Sequence, residues 1–363
     1  MQTRRQFLQL TATATGAFTL SPLFADGAPA SAASGESTAF FLIGDTHYLG
    51  DNEKPGQLDE TSRDYTKRLI EWLNKLPGTE LPAEAGGGKV APVRGLIHAG
   101  DMIDSGDKPD ATHLAMQKTE LAEWLADFGL NGGDGKLPFP VREVHGNHDA
   151  PQGKGAVLEK IIERNKTRAG LAGISPNGLH YSWDWGCAHF INLGIVVGQV
   201  PGVDRARCYP PLGSLDFLIS DLAERVGDSG RPVVITHHVD VARYSAEPKD
   251  AAAKVEWDVA DVQAYHAALA KYRVAAICYG HTHVRRIFPW DGTQPQPVKP
   301  GEQPQGKGIP VFNTAKASHF ISEKQALMYF ELSPKMITAR EFVSEDGWQT
   351  AAWTPQVWRF PLA

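Results

Sequence analysis

Five short apolar runs in this chain each end in a polar motif, and that arrangement constrains the fold more than any other feature. Residues 39–43 (AFFLI) run into Gly44, Asp45, Thr46 and His47. Residues 93–97 (VRGLI) run into His98, Ala99, Gly100 and Asp101. Residues 139–144 (FPVREV) lead to His145, Gly146, Asn147, His148 and Asp149. Residues 232–236 (PVVIT) lead to His237 and His238, and residues 274–279 (VAAICY) to Gly280, His281, Thr282 and His283. Runs of this length, bounded by Gly or Pro and rich in β-branched residues, predict buried strands.

Amphipathic helices are expected between them. Over 62–76 the apolar positions are Tyr65, Leu69, Trp72, Leu73 and Leu76; over 214–226 they are Leu215, Leu218, Ile219, Leu222 and Val226. Both follow helical spacing, as does 112–128. Residues 180–194 alternate like a hairpin, and 326–343 are strand-like. Strands alternating with helices imply an α/β fold with a largely parallel sheet. Functional groups in such sheets gather beyond the carboxyl ends of the strands, where all five motifs fall. A single sheet edge would then hold them all. Stretches 77–92, 129–140 and 289–310 read as loops, and the last could border the site.

The collected groups are carboxylate, amide and imidazole, with no thiolate. That set suits Mn, Fe, Zn or Co better than a sulfur-bound structural zinc. Asp45, His47, Asp101, Asn147, His237, His281 and His283 are too many for one ion in ordinary geometry. Two ions sharing a bridging carboxylate would use them all, as in hydrolases whose ions lie roughly 3.5–4 Å apart.

In this order, Asp-x-His, Gly-Asp, Gly-Asn-His-Asp, a strand-end His and Gly-His-x-His resemble the calcineurin-like metallophosphoesterase superfamily. The resemblance spans residues 39–283. It implies a four-layer α/β/β/α fold, a central β-sandwich of mixed, largely parallel sheets flanked by helices. It also implies roles. Asp45, His47 and His283 would bind one ion, Asn147, His237 and His281 the other, and Asp101 would bridge. Asn147 and His148 would meet the substrate. His148 would face the phosphate as proton donor, with Asp149 orienting it and supporting its charged form. Water shared by two cations loses its proton near neutral pH and becomes the nucleophile. The activity implied is hydrolysis of phosphate monoesters or diesters. A non-catalytic metal-containing binder and a nuclease are the alternatives.

Other residues carry weaker expectations. His238 reads as a neighbour of a ligand, and His98 and His145 as buried, hydrogen-bonded histidines. Arg285, Arg286, Lys316 and His319 could meet an anion, although exposed loop positions are commoner. Trp183 and Trp185 read as packing. Many relatives place a proline soon after the His-His pair; here Val239, Asp240 and Val241 follow. That bears on the loop, and hence on substrate preference, not on the ligands.

The chain has 363 residues, a net charge of −6 and 42% hydrophobic residues. The size is ample for a core, and the acidic balance gives no footprint for nucleic acid. The start, with Arg4 and Arg5, a mildly apolar stretch to Leu20 and Ala28-Pro-Ala-Ser-Ala-Ala33, reads as a twin-arginine export signal. Cleavage is expected near Ala32. Residues 1–37 are therefore set apart from a single domain over 38–363, with the export machinery as a partner and a periplasmic or extracellular destination. That route carries folded proteins, so metal could be loaded before export. No later segment approaches the roughly 18 apolar residues of a membrane span. Three cysteines, Cys187, Cys208 and Cys278, argue against a disulfide framework while allowing one bridge.

Overall fold

The computed structural model describes residues 36–199, 206–241, 254–293, 307–320 and 324–362. The expected export signal lies outside them apart from Glu36 and Ser37. The first half alternates strand and helix: β1 (Thr38–Ile43), α1 (Glu60–Lys75), β2 (Leu96–His98), α2 (Ala111–Phe128), β3 (Val141–Glu143) and α3 (Ala156–Asn165). Next come β4 (Leu171–Ile174), β5 (Tyr181–Trp185), β6 (Ala188–Asn192) and α4 (Ser214–Asp221), continued by a π-turn over Leu222–Val226. They are followed by β7 (Val233–Thr236), α5 (Val259–Leu269) and β8 (Val274–Tyr279). The rest is strand: β9 (Arg286–Trp290), β10 (Ile309–Asn313), β11 (Gln325–Ser333), β12 (Met336–Ser344) and β13 (Ala352–Pro361).

Local chemistry sets the helix starts. The Asp59 carboxylate accepts from Ser62 N at the head of α1, and Asp110 accepts from His113 N at the head of α2. Such caps satisfy backbone donors that the first turn leaves without partners.

Two mixed sheets form, in the orders β13-β12-β11-β1-β2-β3 and β4-β5-β6-β7-β8-β10-β9. The runs β1-β2-β3 and β6-β7-β8-β10 are parallel, and the other pairings are antiparallel. Here the structure corrects the expectation of one sheet edge. Three motif strands lie in the first sheet and two in the second, because β1 takes β11 as its other neighbour. Each sheet still presents its motifs in a level row. Ile43 pairs with His98 and His98 with Glu143, while Thr236 pairs with Cys278.

Alternation across the strands builds the layers. Phe41 and Ile43 of β1 pack with Leu69 and Leu73 of α1 and Trp124 and Phe128 of α2. Phe40 and Leu42 face the other way, toward Phe190, Val234 and Cys278 of the second sheet. Phe40 stacks on Phe330 at 4.9 Å and meets Phe190 edge-on at 5.4 Å. On the far side, Ile235 and Ile277 meet Leu218 of α4 and Val262 and Tyr265 of α5. The result is α/β/β/α. All three cysteines are free thiols. No helix among the described residues is long and apolar enough to cross a membrane.

The second sheet also carries a buried charge cluster. His189 is fully buried and lies 2.7 Å from both Asp184 and Asp221, and Asp221 also accepts from Ser182 Oγ. Burial opposes protonation of His189, but the two carboxylates outweigh it and raise its pKa above 6.5. A raised folded-state pKa gives stability that is complete below the unfolded value and lost as pH rises through the folded one. His189→Ala should cost about 3 kcal/mol in denaturant unfolding at pH 6, since it strands the buried Asp221 carboxylate. The gap to wild type should narrow as pH climbs above 6.5. A gap that widens with pH would refute the assignment of an imidazolium here.

Candidate metal centre

Two sets of donor atoms converge where the carboxyl ends of the two sheets meet. In the first, His283 Nε2 is 3.3 Å from Asp45 Oδ1 and 3.3 Å from His47 Nε2, and His47 Nε2 is 3.5 Å from Asp101 Oδ2. In the second, His238 Nε2 is 3.1 Å from Asp101 Oδ2 and 3.0 Å from Asn147 Oδ1, which lies 2.8 Å from His281 Nδ1. One oxygen, Asp101 Oδ2, faces both sets, a placement that suits a bridging ligand. The groupings Asp45–His47–Asp101–His283 and Asp101–His238–His281 each bring their ligand atoms within 4.8 Å of one another.

The backbone is bent to achieve this. Asp45, His47, Asp101, His281 and His283 have φ of 56°, 44°, 53°, 68° and 55°. Residues with a Cβ rarely enter this region, at a cost of order 1–3 kcal/mol each, and such strain clusters at functional sites. A web of bonds holds it. Asp45 N donates to Gly100 O and His47 N to Asp101 O, while Ala317 N donates to Gly44 O and Ser318 Oγ to Thr46 O. The carboxylates are gripped too. His281 N donates to Asp45, and His148 N to Asp101 Oδ1 at 2.8 Å. These approaches require glycine: a Cβ on Gly280 would overlap the Asp45 carboxylate, and one on Gly146 that of Asp101.

Burial alone would raise the pKa values of both carboxyls. The imidazoles of His283 and His238 nevertheless hold Asp45 below its ordinary 3.8. Those of His238, His47 and His148 hold Asp101 well below it. Burial disfavours charge on His238, but Asp101 outweighs it and pushes this imidazole up to about 9. Cations binding here would displace that proton.

Of the residues expected from sequence, Asp45, His47, Asp101, Asn147, His281 and His283 converge. His237 does not. It is fully buried against Tyr279, Trp257 and Tyr265, with no hydrogen bond to either ring nitrogen among the described residues. Burial pushes its pKa down to about 3. The reason is alternation: His237 continues the face of Val233 and Ile235, which pack toward the helices, whereas His238 continues that of Val234, which faces between the sheets. His238 takes the place expected for His237.

Asp149 also departs from expectation. It accepts from Met102 N, Ile103 N and Gly146 N, which ties the third motif to the second rather than orienting His148. Burial and the nearby Asp101 raise its pKa to about 7, against those three backbone donors. His148 instead donates from Nδ1 to the Asp104 carbonyl at 3.1 Å, with Asp107 at 3.7 Å. Asp104 is a residue sequence reasoning missed. Its carboxylate lies 3.1 Å from His47 Nδ1 and 2.7 Å from Lys108 Nζ. Its only signal was its position three residues after Asp101.

His319 packs on this side, its ring centre 4.2 Å from that of His47, tilted, and 5.1 Å from that of His283, edge-on. Arg285 is tied to Glu341 and lies over Trp358, so it packs rather than meeting an anion. His98 fits its expectation, bonding Thr46 Oγ and accepting from Gly100 N. His145 is buried without a hydrogen-bond partner among the described residues. Trp183 and Trp185 pack between the sheets as expected.

The sequence profile of the calcineurin-like phosphoesterases matches residues 38–285, which include both converging sets. The chain belongs to the calcineurin-like phosphoesterase family. Among solved structures, purple acid phosphatase PPD1 from yellow lupin (Lupinus luteus) seeds aligns with a TM-score of 0.53 and 13% identity, over 90% of this chain and 55% of its own. The chain thus spans about half the length of that protein. A dimetal phosphatase from Danio rerio aligns with a TM-score of 0.48 and 14% identity, over 87% of this chain and 98% of its own. The likeness to the lupin protein concerns the fold alone. A search of curated proteins returned no match.

Members of this family normally bind two metal ions, and the donors here fit such a pair. They are oxygen and imidazole only, they share one carboxylate oxygen, and they are held in strained geometry. His238→Ala should remove one of two bound ions, measured by metal analysis after dialysis. His237→Ala should keep both and lower stability by about 3 kcal/mol, the usual cost of emptying a large buried site. The opposite pattern would return the ligand role to His237.

Proposed function

We propose that this protein hydrolyses phosphate monoesters or diesters with two transition-metal ions, of Mn, Fe or Zn type. The observation that carries the reading is the convergence of both donor sets on Asp101 Oδ2, with the His148 ring beside them. When bound, the ions would supply Lewis acidity, bringing water's pKa near neutrality and offsetting charge on the phosphoryl oxygens. Asp45, His47 and His283 would hold one, Asn147, His238 and His281 the other, with Asp101 between. The substrate is a small phosphate ester; neither nucleic acid nor a membrane is required.

The chain's own contribution to proton transfer is His148. Its Nδ1–H is committed to the Asp104 carbonyl, so Nε2 is the nitrogen that exchanges a proton. The side chain is about 30% exposed, enough for a leaving oxygen to reach it. Burial works against its charged form, but Asp101, the Asp104 carbonyl, Asp107 and the Asp104 carboxylate together raise its pKa above 6.5. Cations on Asp101 would draw off that carboxylate's share, leaving the carbonyl and the other acids as support. An imidazole so placed suits a general acid near neutral pH.

The test is His148→Ala in the two-ion protein. Both ions should remain, and turnover should fall about 10²–10⁴-fold on alkyl phosphates, whose leaving oxygen needs a proton. The loss should shrink on activated aryl phosphates. An equal loss on both, or loss of metal, would remove His148 from the proton-donor role.

We also propose that the enzyme works outside the cytoplasm, delivered by the twin-arginine route that Arg4 and Arg5 suggest. Arg4→Lys combined with Arg5→Lys should hold it in the cytoplasm, read by cell fractionation. Undiminished export of the double variant would count against that address.

A further inference from the structure

A histidine that binds a metal through one ring nitrogen generally gives the N–H on the other to a carboxylate, a carbonyl or water. That partner fixes both tautomer and ring orientation. In the first donor set His47 has such a partner, with Nδ1 against Asp104 and Nε2 among the converging atoms. In the second set the corresponding group comes from a residue outside every sequence motif. Glu256 Oε1 lies 3.3 Å from His281 Nε2, on the side of the ring opposite Nδ1. Nδ1 is the nitrogen 2.8 Å from Asn147 Oδ1, inside the convergence.

We infer that Glu256 is the positioning residue of the second ion. With the ion bound, it would accept the Nε2–H of His281, whose Nε2 it faces at 3.3 Å, and so leave the Nδ1 lone pair directed at the metal. The inference rests on the two-ion reading above and deepens it.

The backbone on either side of Glu256 is anchored. Val255 N donates to Ala206 O, and Cys208 N donates to Val255 O. Trp257 is buried against the His237 ring. The Asp258 carboxylate caps α5 by accepting from Ala260 N. The His-His pair is thereby used on both faces. His238 supplies a donor to the second ion, while the buried His237 packs against the segment that carries Glu256. The Glu256 side chain is 24% exposed, so its charge is partly solvated.

The experiment is a competitive titration of the full chain with Zn²⁺ or Mn²⁺ against a chelating dye, comparing wild type, Glu256→Ala and Glu256→Gln. Melting of the metal-free proteins serves as a fold control. Wild type should take two ions. Glu256→Ala should still take two at saturation but bind the second about 10–100-fold more weakly, with the first unchanged. Glu256→Gln keeps an acceptor oxygen and should recover most of that loss. Second-ion affinity unchanged in Glu256→Ala would overturn the role. Glu256→Gln as weak as the alanine variant, with one ion at saturation, would instead make Glu256 a direct ligand and also overturn it. A wild-type chain that takes no ions would overturn the two-ion reading and this inference together. Two ions in wild type with normal affinity in both variants would sink only the role of Glu256.

Discussion

The structure turns on one buried carboxylate. Asp101 has almost no contact with solvent, and one of its oxygens stands between His47 and His238. A carboxylate taken out of water is costly unless positive charge or hydrogen bonds compensate it. Here the surrounding imidazoles and the His148 amide do so in the metal-free protein, and cations would do so in the loaded one. Much of the nearby geometry follows from that need. Glycine at 146 lets a backbone amide reach Asp101, and glycine at 280 does the same for Asp45.

Holding such a site demands rigidity elsewhere. Five donor residues sit in left-handed backbone conformations that they would not choose in isolation. The strain is tolerable because the strands beneath are fully buried between close-packed layers. Residues of β1, for instance, touch helices on one face and the opposite sheet on the other. The loop after β10 adds a strap, bonding Gly44 and Thr46 through Ala317 and Ser318. That strap lies beyond the residues matched by the family profile, yet it braces the first motif.

Much of this was legible in the sequence, for identifiable reasons. Strand-end motifs are local, and short Val- and Ile-rich runs punctuated by Gly or Pro mark their strands without reference to the rest of the chain. Six of the seven expected ligands converge because position beyond a strand end largely decides where a side chain goes. The seventh failed on a matter of parity. Choosing between His237 and His238 requires knowing which face of β7 looks between the sheets, and every β7 residue is buried, so no polar alternation betrays it. The division of the motif strands between two sheets was hidden for a similar reason. Pairing of β1 with β11 joins residues nearly 300 apart, beyond the reach of local pattern. Asp149 was misread because its partners are backbone amides, which leave no trace in residue identity. Asp104 was left unassigned because its contact with His47 crosses between separate loops.

The split of the motifs between two sheets has a mechanical meaning. Asp45 and His47 follow a strand of the first sheet, but their companion His283 follows one of the second. His238 and His281 follow the second sheet, but Asn147 follows the first. Each ion would therefore be a rivet through the seam, fastening one sheet to the other at the carboxyl ends of their strands. Sliding of the sheets past each other would pull both donor sets apart at once. The aromatic stack of Phe40, Phe330 and Phe190 lies across the same seam, so the greasy interior and the polar rim resist the same shear. Metal occupancy and the alignment of the sandwich would then be a single mechanical property, with the rivets set at the rim and the friction in the middle.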